Sequence, residues 1–167
     1  MLPETLKIHI LTLSDRASQG EYEDLSGPRA ELKIKDYYEK TNCSVLISRE
    51  IIADEASKLN EVLQACLANG TDALITTGGT GIGPRDITVD TLKPQIEKEI
   101  PGIMELIRVK YGQNKPNALL SRSIAGTIGQ CQIYTLPGSR RGVEEYLDEI
   151  LKTLGHLYFM MRGIDVH

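Results

Sequence analysis

Two hydrophobic patterns alternate along this chain of 167 residues. Short runs rich in β-branched and leucine side chains predict strands, of which the first is expected to be buried. These runs are residues 7–13, 43–52, 73–77 and 132–136. Between them, apolar residues recur every three or four positions, which predicts amphipathic helices. The helices are expected at about 26–40, 55–68, 103–111 and 143–157.

Strands that alternate with amphipathic helices indicate an α/β fold. We predict a three-layer sandwich with a mainly parallel central sheet and helices on both of its faces, in one domain spanning residues 1–167. The helix at 26–40 has a capping hydroxyl at Ser26 and Pro28 in its first turn, and its inward face is expected to include Tyr37 and Tyr38. Residues 117–129 show no regular pattern.

The carboxyl ends of parallel strands form one rim, where ligands bind in open α/β sheets. Polar segments follow all four predicted strands at this rim. They are Ser14-Asp15-Arg16, then Asp54, then the segment 77–86, and finally Pro137-Gly138-Ser139. Their convergence predicts a ligand site at the carboxyl ends of the strands.

The third of these segments contains a glycine-rich stretch, residues 77–83, here named the glycine loop. Glycines at a strand end let the backbone approach a ligand closely, and bare N–H groups in such a concavity suit phosphate. The chain has no Gly-Lys pair, which excludes a P-loop, and Pro84 or Asp86 falls where a dinucleotide fingerprint needs its third glycine. A plain tight turn is the alternative, although Arg85 and Asp86 beside the loop favour a site.

Composition narrows the function further. The net charge of −4 and pI of about 5.4 argue against a nucleic-acid-coating surface. Cys43, Cys66 and Cys131 have no metal-ligand spacing and are expected to be reduced, buried thiols. The N-terminal segment does not match a signal peptide and no apolar run is long enough to span a bilayer, so we expect a cytoplasmic protein without membrane contact.

Five motifs in this order resemble those of the molybdopterin adenylyltransferases, the MogA/MoaB family, which are similar to the G domain of gephyrin. The motifs are Leu13-Ser14-Asp15-Arg16, Thr76-Thr77-Gly78-Gly79-Thr80-Gly81, Pro84-Arg85-Asp86-Ile87-Thr88, Leu120-Ser121-Arg122 and Leu136-Pro137-Gly138-Ser139. The resemblance implies a homotrimeric α/β enzyme. It would transfer AMP from Mg·ATP to the terminal phosphate of molybdopterin, release pyrophosphate, and pass its product to a molybdate-inserting protein.

The resemblance also implies roles for individual residues. Asp54 and Asp86 would be the catalytic pair and would hold Mg²⁺ through oxygen ligands. The nucleotide and its phosphates would be bound by Ser14, Asp15, Thr77, Gly78, Gly79, Thr80, Gly81, Pro137, Gly138 and Ser139. The pterin and its phosphate would be bound by Arg85, Thr88, Ser121 and Arg122.

Each of the acidic residues has a structural alternative. Asp54 is placed as a helix N-cap, Asp86 as a turn residue, and Asp15 as the start of an Asx-turn. Arg140 and Arg141 fit a solvated first helical turn better than a substrate clamp.

Two departures from the family pattern bear on activity. Val89 stands where many relatives have proline, and Ser139-Arg140 replaces the Asn-Pro of eukaryotic relatives. The Pro-Gly-Ser turn and the stretch from Ser121 to Gly126 also occur in the MoaB branch, some of whose members lack the transferase activity. The alternatives to an enzyme are therefore a molybdopterin- or nucleotide-binding protein without turnover, or an unrelated phosphate-binding α/β protein. Asp54 and Asp86 together favour the enzyme.

Overall fold

A computed structural model describes residues 2–164. Six strands form one sheet in the order β2-β1-β3-β6-β5-β4. The strands are β1 (Thr5–Leu13), β2 (Ser44–Ile52), β3 (Ala73–Thr77), β4 (Lys98–Glu99), β5 (Ala125–Ile128) and β6 (Cys131–Leu136). The first three strands and β6 run parallel, whereas β5 is antiparallel to β6 and β4 to β5.

In the described part of the chain, six α-helices connect or flank the strands. They are α1 (Asp15–Ser18), α2 (Ser26–Tyr38), α3 (Ala56–Ala68), α4 (Thr88–Leu92), α5 (Pro101–Gly112) and α6 (Arg140–Met161). Short 3₁₀ turns follow α4 at Lys93–Gln95, which contains Pro94, and α5 at Pro116–Leu120. Within residues 2–164, no helix combines the length and apolar character needed to cross a bilayer.

The sheet separates two hydrophobic cores. Side chains of α2, α5 and α6 pack on one face, around Ile8, Ile75 and Tyr134, and those of α3 and α4 pack on the other, around Leu11 and Ile133. Burial of this kind is the main favourable contribution to folding. The predicted three-layer α/β sandwich with a mainly parallel sheet is confirmed.

The two antiparallel strands were not predicted. β5 lies in the stretch that showed no pattern, because its four residues are buried on both faces and do not alternate. It forms a hairpin with β6 through a turn in which Gly129 has φ +54°. A Cβ on Gly126 would lie 2.7 Å from the Lys98 carbonyl oxygen, so glycine there lets β4 approach.

Three local expectations were wrong. Tyr38 is buried, but Tyr37 is 38% exposed because it lies at the edge of the inward face of α2. The backbone N–H groups of Ser26 and Gly27 donate to the Asp24 carboxylate, so Asp24 rather than the Ser26 hydroxyl caps α2. Among residues 2–164, no side chain caps α3, since the Asp54 carboxylate is engaged elsewhere. The three cysteines are free and buried, as expected.

Candidate active site

The four predicted polar segments lie at one rim of the sheet. From β1 the chain continues to β2 at one edge of the sheet, whereas from β3 it continues to the strands on the opposite side. The direction of the strand order therefore reverses between β1 and β3. A crevice opens at such a switch point, outside the carboxyl ends of the strands. Ser14 and Asp15 border it on the β1 side, and the glycine loop borders it on the β3 side.

The backbone of the glycine loop is held tightly against its neighbours. Gly78 has φ +101°, and its N–H group donates to the Leu136 carbonyl oxygen at 3.0 Å. The Thr77 hydroxyl donates to Pro137 O at 2.9 Å, and the Thr88 hydroxyl donates to Gly78 O at 2.9 Å. Thr77 and Thr88 use their hydroxyls for these bonds, so both side chains stabilise the loop.

The middle of the glycine loop keeps free donors. Within residues 2–164, the backbone N–H groups of Gly79, Thr80 and Gly81 have no hydrogen-bond acceptor, and neither does the Thr80 hydroxyl. Unpaired backbone donors are rare in folded proteins, and successive ones form a concavity that binds anions. Of the nucleotide-binding residues that the sequence predicted in this loop, these three have groups available for a phosphate.

Asp15, Asp54 and Arg85 form one hydrogen-bonded group across the crevice. The backbone N–H of Asp15 donates to Asp54 Oδ2, and that of Asp54 donates to Asp15 Oδ1, each at 3.0 Å. The Arg85 guanidinium donates to both Asp15 oxygens, from Nε at 2.9 Å and from Nη2 at 2.8 Å. Asp15 therefore uses its carboxylate within the protein, and the Asx-turn alternative does not describe it.

The pKa values of the Asp15 and Asp54 carboxyls are shifted in opposite directions. The hydrogen bond from Arg85 holds the pKa of Asp15 below its ordinary value. Burial raises the pKa of Asp54, and the negative charges of Asp15 and Asp86 raise it further against the hydrogen bond from Asp15. A cation placed beside Asp54 would relieve both effects.

Asp86 turns back onto the glycine loop. Its Oδ2 accepts a hydrogen bond of 2.8 Å from the N–H group of Gly83. Cβ atoms on Gly81 and Gly83 would lie 2.8 and 2.9 Å from the same oxygen, so glycine at both positions makes room for the carboxylate. Asp86 is therefore a turn residue in its bonding, and its second oxygen remains available.

Arg122 fastens the glycine loop from outside. Its Nε donates to Gly81 O at 2.8 Å and its Nη2 to Asp86 O at 3.1 Å, while both terminal nitrogens reach the Asp90 carboxylate. A guanidinium offers five donors in a fixed fork, and here they bind protein oxygens. Arg122 thus holds the loop in the described structure, and Asp90 is its carboxylate partner.

The remaining predicted residues divide between caps and a separate groove. Ser14 caps α1 and Ser139 caps α6, each accepting from a backbone N–H group. Gly138 lies beside Gly78, where a Cβ would be 3.4 Å from the Gly78 Cα. Ser121 hydrogen-bonds to Ser123 at 2.8 Å, in a groove of about 350 Å³ between α4 and α5 that Arg122 also lines.

Sequence reasoning missed the residues behind the β1 end of the crevice. The Thr12 hydroxyl donates to Asp24 Oδ2 at 2.7 Å, and the Ser26 hydroxyl donates to Gly138 O at 2.6 Å. These residues line a cavity of about 120 Å³ together with Tyr22 and Thr77. Asp24 two positions before Ser26-Gly27-Pro28 was a usable signal for a helix cap.

The oxygens at the crevice fit magnesium bound together with a phosphate. Asp54 and Asp86 each hydrogen-bond through Oδ2, and Oδ1 of each has no partner within residues 2–164. The described part of the chain holds no cluster of three or more His, Cys, Asp or Glu side chains arranged to bind a metal. Mg²⁺ is commonly held by one or two carboxylates, with water and substrate phosphates completing its shell.

These features define the class of protein: an α/β protein with a glycine-rich loop of unpaired backbone donors and a pair of carboxylates at the switch point of its sheet. The family model described as "Probable molybdopterin binding domain" matches residues 9–156. The chain belongs to this family.

Individual relatives match over nearly the whole chain. The molybdopterin adenylyltransferase of Helicobacter pylori strain J99 is 34% identical over 161 residues, covering 96% of this chain and 90% of that protein. The crystal structure of the tungsten cofactor synthesizing protein MoaB from Pyrococcus furiosus superposes with a TM-score of 0.83 at 33% identity, covering 96% of this chain and 99% of that one. The molybdenum cofactor biosynthesis bifunctional protein of Chlorobaculum tepidum is 34% identical, and this chain spans only 48% of its length.

Proposed function

We propose that the protein is a molybdopterin adenylyltransferase of molybdenum cofactor biosynthesis. It moves AMP from ATP to the terminal phosphate of molybdopterin and releases pyrophosphate. Family membership and the named relatives support this assignment. The single observation that carries it is that two kinds of unpaired group lie at the same crevice. These are the loop donors of Gly79, Thr80 and Gly81 and the free oxygens of Asp54 and Asp86.

The reaction requires no covalent intermediate with the protein. The terminal phosphate of molybdopterin is itself the nucleophile; it attacks the α-phosphorus of ATP, and the bond to pyrophosphate breaks. Catalysis then depends on positioning and on neutralising the charge of the phosphates. The glycine-loop N–H groups and the Thr80 hydroxyl hold nucleotide phosphates, and Arg85 meets a further phosphate at the crevice edge.

Asp54 and Asp86 would hold Mg²⁺ through their Oδ1 atoms, and the ion would supply positive charge to the phosphate oxygens. The reciprocal hydrogen bonds with Asp15 fix the position of Asp54, and the bond from Gly83 fixes that of Asp86. These contacts prepare both carboxylates before substrate arrives, so little reorganisation is needed on binding.

Turnover separates this enzyme from a binding protein of the same fold, the alternative that the Pro-Gly-Ser turn keeps open. We expect pyrophosphate release when the protein is mixed with molybdopterin, ATP and Mg²⁺. Omission of molybdopterin, or addition of EDTA, is expected to reduce the release to background. Background release from the complete mixture, with molybdopterin binding intact in a titration, would establish the non-catalytic alternative.

We also propose that the protein is a cytoplasmic homotrimer that passes its product to a molybdate-inserting partner. Exposed apolar side chains support self-association: Leu106 and Val109 on α5 are 53% and 59% exposed, and Leu119 lies against the same helix at Gly112. Light scattering is expected to give three times the chain mass of 18.5 kDa. A monomeric mass at micromolar concentration would contradict the trimer. Cell fractionation and co-purification with the inserting protein test the location and the transfer.

A further inference from the structure

Arg85 is bound in a way that its proposed role does not explain. It is 62% exposed at the edge of the crevice, yet its guanidinium makes a two-point contact with the Asp15 carboxylate. A planar guanidinium meets a phosphate in the same forked geometry. In the described structure, the Asp15 carboxylate therefore occupies the donors that a substrate phosphate would use.

The contacts of Asp15 with Arg85 and with Asp54 share one oxygen. Asp15 Oδ1 accepts from both the Asp54 N–H and Arg85 Nη2, Oδ2 accepts from Arg85 Nε, and the Asp15 N–H donates to Asp54 Oδ2. Asp15 can lose Arg85 and still remain tied to Asp54. The Arg85 side chain is 62% exposed and that of Asp15 is 34% exposed, so solvent and salt screen the attraction between them. A phosphate with more negative charge than a carboxylate can displace Asp15 at small cost.

We propose that Asp15 is a specificity-determining latch: it holds Arg85 while the crevice is empty and yields it to an incoming substrate phosphate. This inference rests on the proposed function only in taking a phosphate ester or anhydride as the ligand. Asp15, which the family resemblance suggested as a phosphate-binding residue, then acts on phosphate by competing for Arg85. The competition lowers affinity for weakly charged anions and favours ligands that can make a forked, multiply charged contact.

The substitution Asp15→Asn weakens the contact with Arg85 and keeps the contact with Asp54. The asparagine oxygen can still accept the Asp54 N–H and Arg85 Nη2, whereas its amide nitrogen cannot accept from Arg85 Nε and the side chain carries no charge. Calorimetric titration with inorganic pyrophosphate and with Mg·ATP is expected to show about threefold to fivefold tighter binding by this variant, because an exposed pair no longer has to be broken. In the Arg85→Ala background, Asp15→Asn is expected to leave both affinities unchanged.

Glu55→Gln is the matched control. Glu55 lies close enough for its charge to raise the pKa of Arg85, but its carboxylate pairs with Lys58 and not with Arg85. We expect this variant to change affinity by less than about twofold, as for other exposed pairs. A circular dichroism melt of each variant confirms that it is folded.

Two results would overturn the latch. Unchanged or weaker phosphate binding by Asp15→Asn would show that Asp15 does not compete for Arg85. An equal gain in phosphate affinity in the Arg85→Ala background, or in Glu55→Gln, would show that the loss of any nearby negative charge is sufficient to strengthen binding. Because these are binding measurements, failure of AMP transfer in the wild-type protein would count against the proposed function and not against the latch.

Discussion

Asp86→Asn is expected to lower the rate of AMP transfer by about a hundredfold or more, because in the proposed function it removes a charged oxygen that would meet Mg²⁺ and the phosphates. The asparagine oxygen can still accept the Gly83 N–H group, so the glycine loop is expected to keep its conformation. Molybdopterin affinity should therefore change by less than about threefold, and the loss should fall on kcat. Pyrophosphate release and a pterin titration on the same preparation measure the two effects.

The control for this variant is Asp148→Asn. Asp148 carries the same charge and pairs with Lys33 on the far helical layer, so its change should leave turnover within about twofold. Turnover by Asp86→Asn at more than about a third of the wild-type rate would contradict the role given to Asp86.

The second large effect is expected at Gly78. A Cβ there would lie 2.3 Å from the Leu13 carbonyl oxygen, and φ at this position is +101°. The obstacle is backbone of the central strand β1, which cannot move aside as a flexible side chain would. We expect Gly78→Ala to lower the free energy of unfolding by about 3 kcal/mol or more, through clash and backbone strain together.

Gly70→Ala measures the cost of the positive φ angle alone, without a steric clash. Gly70 has φ +67°, and a Cβ there would meet no atom within 4 Å. Its replacement should cost only about 1 kcal/mol, the usual penalty for the left-handed region. Urea denaturation of both variants measures the difference. Equal losses at the two positions would mean that the loop does not pack on β1 as described.

Much of the fold could be predicted because parallel strands appear in the sequence as short runs rich in apolar and β-branched residues. The runs that form β3 and β6 are fully buried, β1 is largely buried, and β2 is mostly exposed but rich in isoleucine, leucine and valine. The polar segments after all four strands lie at one rim as expected. β4 and β5 were missed because two and four residues are too few to show a period. Their positions depend on pairing with β6 and on close approach at Gly126.

The chemistry of the rim was harder to predict than its location. A sequence shows that Asp15, Arg85 and Arg122 are near the site, but not which oxygens their side chains bind. Arg85 meets Asp15 across 70 positions, and Arg122 meets Gly81 across 41, so no local pattern records either contact. The Asp54 carboxylate could equally have capped α3, and only the tertiary contact with Asp15 decides between the two arrangements.

The most direct test of the account is the identity of the product. Mass spectrometry of a reaction containing the wild-type protein, molybdopterin, ATP and Mg²⁺ is expected to show adenylylated molybdopterin, with one pyrophosphate released for each molecule formed. The parallel reaction with Asp86→Asn should show almost none. If the wild-type protein binds molybdopterin and ATP but forms no adenylylated product, the central claim that this crevice catalyses AMP transfer is contradicted.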